Sequence, residues 1–156
     1  AIAAPSFKFL IERWHVLQTV DGLKTTLYYA RSEALKRGGN VYIEKIAKSK
    51  APDCVSADTN QDWDCGWVVF VDADGDGVWD AGEEIQRFTP SGNVTVTKKP
   101  SGKSIAINRW GGANGANLLG FTVAPADGIS SPATKGVCMA TGGRVRVINQ
   151  EDVPCS

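Results

Sequence analysis

A chain of 156 residues with 42 % hydrophobic and 22 % charged residues is long enough for one domain with a buried core and too apolar to stay disordered. Its 17 Lys/Arg and 17 Asp/Glu give a formal net charge of +0, which excludes a global pull on nucleic acid and leaves room only for a local basic patch. The charge is segregated, with nine Lys/Arg against four Asp/Glu in residues 1–50, one against ten in 51–90, and seven against three in 91–156.

The opening Ala1-Ile-Ala-Ala-Pro-Ser-Phe7 reads either as a mature start or as a start just after a membrane segment. The sequence contains no apolar run of membrane-spanning length and no signal peptide. A helix follows. Leu10, Trp14, Leu17, Val20, Leu23, Leu27, Ala30 and Ala34 recur at spacings of three and four and predict one apolar face. Pro5 suits the first turn, and Lys36 and Arg37 suit the last, before a stop at Gly38-Gly39. Gly22 weakens the middle by about 1 kcal/mol against Ala. About 30 residues of helix exceed what a small domain needs, which points to a longer element continuing upstream. His15 lies off the apolar stripe and reads as a solvated surface histidine rather than a general base.

Beyond Gly39 the period changes from helix to strand. Val41–Ile46, Trp67–Val71, Glu84–Phe88, Val94–Thr97, Ser104–Ile107, Gly120–Ala124, Val137–Met139 and Arg144–Ile148 read as strands, with Gly, Pro, Asp and Ser turns between them. One long helix followed only by strands predicts an α+β domain, with helix 1–38 covering a face of antiparallel sheets in a β-rich head, 39–156.

The four cysteines, Cys54, Cys65, Cys138 and Cys155, form no CxxC pair, which argues against zinc. Two disulfides in an oxidising compartment are the better reading, free thiols in a cytosolic protein the other. Of three possible connectivities, the local one, Cys54–Cys65 with Cys138–Cys155, is the simplest.

The stretch Phe70–Glu84 matches the ligand spacing of a calcium-binding helix–loop–helix. Side-chain oxygens of Asp72, Asp74, Asp76 and Glu83 with the Val78 carbonyl fit a hard cation, Asp80 fits a water-mediated contact, and Gly77 allows the sharp turn. The flanking segments alternate as strands, however, and Asp-Gly pairs are what hairpin turns select. The stretch therefore reads first as an acidic hairpin tip and second as a calcium site. In the tail Gly142-Gly-Arg-Val-Arg-Val-Ile148, strand alternation puts Arg144 and Arg146 on one face, suited to phosphates, and Val145 and Val147 on the other, toward the core. Lys98, Lys99, Lys103, Arg109 and Lys135 lie in the same basic third. A charged, protected edge strand is the simpler account of the pair. No nucleophile elbow or phosphate loop supports an enzyme.

Four of these stretches, in this order, resemble the FimT/GspH-type minor pilins and pseudopilins: Ala1–Phe7 as the passage out of a membrane half-helix, Leu27-Tyr-Tyr-Ala-Arg-Ser-Glu-Ala-Leu-Lys-Arg37 as the helix-end signature, Cys65-Gly-Trp-Val-Val-Phe-Val-Asp72 with its acidic turn, and the Gly143-Arg-Val-Arg146 motif. The prepilin motif and first helix half are missing, and the Gly/Asn-rich segment Trp110 to Asn117 departs from the pattern. The resemblance implies a type IV pilin-like fold and no enzymatic activity. It implies a prepilin cleaved by its peptidase, held in the inner membrane by an upstream helix, with the head in the periplasm. Other minor pilins or pseudopilins would be its partners through helix packing in a filament, at its tip. Within the type IV pilus it also implies DNA binding through Arg144 and Arg146; the alternative machine is the type II secretion pseudopilus. It calls for no cofactor, calcium being the one candidate.

Overall fold

The computed structural model describes residues 3–54, 57–115 and 117–156, with side chains from Phe7 onward. Helix α1 runs Ala3–Arg37. It stops where Gly38, Gly39 and Asn40 take φ of +76°, +110° and +57°, and the Gly39 amide donates back to the Ala34 carbonyl at 2.9 Å. In its last turn Lys36 and Arg37 both reach Glu33, at 3.3 and 2.9 Å.

Eight strands follow among the described residues: β1 Val41–Lys45, β2 Trp67–Val71, β3 Glu84–Phe88, β4 Val94–Lys99, β5 Ser104–Ile107, β6 Leu118–Pro125, β7 Lys135–Ala140 and β8 Val145–Asn149. They form two antiparallel sheets, ordered β3-β2-β1-β5 and β4-β6-β7-β8. The chain enters the second sheet at β4, returns to the first as β5 beside β1, with Ile43 opposite Ile105, and then completes the second. One long helix on antiparallel sheets is the α+β, pilin-like arrangement the sequence called for.

The main core lies where α1 meets both sheets. Val16, Val20, Leu23, Leu27, Ala30 and Ala34 from the helix pack with Ile43, Trp67, Val69, Val96, Phe121 and Val137. Trp67 carries its polar atom inward and satisfies it there, Nε1 donating to the Thr26 hydroxyl at 2.9 Å. The expected apolar stripe holds only from Val20 on. Val16 begins the buried face, while Leu10, Trp14 and Leu17 are 57, 57 and 38 % exposed. Periodicity marks an apolar stripe but not what covers it, and here the sheets do not cover that half of the helix.

β2 is apolar at every position because it is covered on both faces. Its outer face, Val68 and Phe70, lies under a second small core with Ile46, Ala57 and Cys65, closed by Tyr42, Cys54 and Trp79. The disulfide Cys54–Cys65 pins this cover, and Cys138–Cys155 ties the end of the chain to β7. In the chain-entropy model each closure stabilises by about 3 kcal/mol. His15 is half-buried rather than solvated, its ring lying over Gly92 in the β3–β4 turn.

Candidate functional site

Two charged regions have definite geometry. The first is the acidic β2–β3 turn. The Val71 amide donates to the Glu83 carbonyl at 3.0 Å, so the turn grows directly out of paired strands with no flanking helices. Asp72 is buried at its base and accepts the Gly75 and Gly77 amides at 2.8 and 2.9 Å, with both glycines at positive φ. Asp76 accepts the Val78 amide at 2.8 Å, and Asp74 accepts the Asp76 amide at 3.2 Å. Glu83 closes the ring by accepting from Ala73 at 2.9 Å and from Asp80 at 3.0 Å.

One oxygen from each of Asp72, Asp74 and Asp76 lies within 4.8 Å of the others. The amide of Asp76 draws the Asp74 pKa down, but desolvation and the charges of Asp76 and Glu83, together with the Asp72 hydrogen bond, outweigh it and leave the pKa raised. Three converging carboxylate oxygens are hard-cation chemistry, but calcium takes about six to eight ligands. The Val78 carbonyl, Glu83, Asp80 or water would have to complete the set, and Glu83 and Asp80 stand outside the close group of three. The backbone amides alone already hold the turn.

The second region is the end of the molecule around β8. Arg144 immediately precedes the strand, and its carbonyl accepts the Ala140 amide at 2.9 Å. Arg144 and Arg146 line one hollow of about 270 Å³ on the outer face of the second sheet, with Leu118, Cys138 and Ala140. The two arginines therefore do share a face, Arg146 also donating to the Ser156 carbonyl at 2.7 Å. The opposite face departs from expectation. Val145 packs on the core, but Val147 is 41 % exposed on β8, the edge strand of its sheet. Lys98 drops out of the basic patch: it is 4 % exposed, its Nζ donates to the Pro100 carbonyl at 2.6 Å, and burial lowers its pKa.

Sequence reading gave no role to two residues at this end. Arg31 crosses from α1 to donate to the Gly143 carbonyl at 3.0 Å, joining the helix-end signature to the Gly-Arg-Val-Arg turn across 112 residues of sequence. Trp110 is 77 % exposed on a loop packed against the same turn. Its signal was present: a Trp between Arg109 and Gly111-Gly112 has no apolar neighbours in sequence with which to build a core.

The helix signature, the acidic hairpin and the closing Gly-Arg-Val-Arg turn thus occupy one scaffold. Residues 19–149 match the family model for type II transport protein GspH. The chain belongs to the GspH family. Two crystal structures of the type IV minor pilin FimU from Pseudomonas aeruginosa strain PAO1 share its fold at a TM-score of 0.64. One is 15 % identical, covering 90 % of this chain and 98 % of FimU; the other is 17 % identical, covering 94 % and 98 %. No curated protein sequence matches the chain. GspH-family chains with this fold are structural pilin and pseudopilin subunits, not enzymes. A hollow of about 620 Å³ beside Cys54–Cys65 has Asp53 and Asp64 among its described lining residues. No helix among the described residues is long and apolar enough to cross a membrane.

Proposed function

We propose that this chain is a minor pilin of a type IV pilus, held at the inner membrane with its head in the periplasm, that works through assembly contacts at the filament tip. The observation that carries this reading is the uncovered half of α1. Phe7, Leu10, Ile11, Trp14 and Leu17 are 65, 57, 50, 57 and 38 % exposed, and their spacings of three and four place them along one side of the helix. Such a contiguous apolar strip marks an interaction surface rather than a free one. The GspH-family assignment makes the helices of other pilins its natural cover. The two disulfides agree with an oxidising compartment. DNA binding by Arg144 and Arg146 belongs to the same reading and rests on their shared hollow.

The test replaces Leu10 and Trp14 together by Asp in the producing cell and follows the protein into the sheared filament fraction. The variant should fold with an unchanged melting temperature, since both side chains lie outside the core, and be missing from filaments. Incorporation equal to wild type overturns the reading. The second reading, a minor pseudopilin of type II secretion, is favoured by the description of the matching family. Deleting the gene separates the two: loss of surface pili supports the first, loss of protein secretion with pili intact supports the second.

A further inference from the structure

Trp110 is the most exposed large apolar side chain among the described residues, at 77 %. The backbone that carries it is nevertheless held in place. Asn108 Oδ1 accepts both the Trp110 amide, at 2.9 Å, and the Gly112 amide, at 3.1 Å. The Asn108 amide donates to the Gly112 carbonyl and the Gly111 amide to the Asn108 carbonyl, each at 2.9 Å, and Asn108 Nδ2 reaches Asn114 at 3.2 Å. The loop is seated on the turn before Arg144. A Cβ on Gly143 would lie 2.8 Å from the Gly111 carbonyl, and one on Gly112 would overlap the Thr141 carbonyl. Arg31 fills the remaining gap, 2.6 Å from a Cβ on Gly111 and 2.9 Å from one on Gly143. An exposed indole carried on a fixed backbone therefore stands beside Arg109 and one residue removed, on each side of a backbone contact, from Arg144. Both arginines are exposed, and neither they nor Arg146 takes part in an ion pair among the described residues. From Lys103 to Asn149 the only acidic residue is Asp127, which pairs with Lys8 elsewhere.

We propose that Trp110 is a stacking platform for an unpaired base, so that this end of the molecule binds single-stranded nucleic acid with the arginines on its phosphates. The chemistry follows from the parts: an exposed π-face accepts any base, and arginines without ion pairs complement a polyanion. A protein partner with an apolar pocket would want the indole but not a surrounding of unpaired cations. The inference rests on the DNA-binding reading of Arg144 and Arg146 and adds the preference for single strands.

Fluorescence anisotropy with a labelled oligo-thymidine strand and with a duplex of equal length tests it, on wild type, Trp110→Ala, Trp110→Phe and the Arg144→Ala/Arg146→Ala pair. Trp110→Ala should weaken single-strand binding by about fivefold or more with an unchanged salt slope, leave duplex binding nearly intact, and be rescued by Trp110→Phe. The arginine pair should lose both ligands and flatten the salt slope. If Trp110→Ala binds both ligands like wild type while the arginine pair does not, stacking is overturned and the DNA reading stands. If wild type shows no salt-sensitive binding to either, both are overturned, and Trp110 is left as a protein contact.

Discussion

Gly22 sits in the middle of α1, where helix propensity alone says that Ala would stabilise by about 1 kcal/mol. The neighbour across the interface reverses that sign. The Phe88 ring occupies the place of a Cβ at position 22, and the same ring stacks on Trp67 at a centroid distance of 5.1 Å. A methyl group there must push a ring already held on its other face, so Gly22→Ala should cost about 1–3 kcal/mol. In a denaturant melt, Phe88→Leu should recover part of the loss in the double variant, and simple additivity of the two changes would show that they do not touch. Glu44 on β1 gives the second residue-scale expectation. Desolvation raises its pKa against the opposing charges of Lys103 and Lys50, and its Oε2 is buried without a hydrogen-bond partner. A carboxyl whose folded pKa lies above its unfolded value takes up a proton on folding. Stability is therefore fully present below the ordinary carboxyl range and lost as pH rises through the raised value. Glu44→Gln should accordingly melt about 1–3 °C higher than wild type at pH 7, with the gap closing below pH ~4. A pH-independent gap would assign the effect to packing instead.

The acidic turn shows at the scale of an element which carboxylates hold structure. Asp72 is buried and binds two amides, whereas Asp74 is exposed and binds one. Asp72→Ala should therefore cost about 2–3 kcal/mol, while Asp74→Ala should leave the melting temperature almost unchanged. Because amides close the ring without help from a cation, EDTA should not lower the wild-type melting temperature; a clear drop would reveal a bound hard cation in the turn. Elements of this kind were legible in the sequence because each carried its own local signal. All eight strands fall where β-branched and aromatic residues run between turn residues, and the helix stops at its Gly pair. What was not legible depends on distant partners. Nothing local in Ser104–Ile107 says that it pairs with Val41–Glu44 rather than with its sequence neighbour β4. Nothing in Leu10, Trp14 and Leu17 says that the sheets stop short of them. Arg31 and Gly143 each look ordinary until the fold joins them.

At the scale of the whole molecule the two proposed activities lie at opposite ends of one helix. From Leu10 to Arg31 is 21 residues, about 30 Å at the α-helical rise, and Arg31 is the residue that holds the Gly143 turn beside Arg144. That separation is several times the Debye length at physiological salt, about 8 Å, so a charge placed at position 10 is not felt at position 144. The core between them is built from residues that neither surface uses. Substitutions at the two ends should then act independently. Leu10→Asp with Trp14→Asp should abolish entry into filaments and leave oligonucleotide affinity within about twofold of wild type, while Arg144→Ala with Arg146→Ala should do the reverse. The combined variant should show each defect at its single-site size. Arg31→Ala is the informative intermediate. It touches neither proposed ligand, yet it removes the link between α1 and the Gly143 turn, so it should weaken oligonucleotide binding while filament entry persists. If Arg31→Ala instead binds oligonucleotide like wild type, the arginine turn keeps its shape without the helix, and the two ends are not merely separable but structurally unconnected.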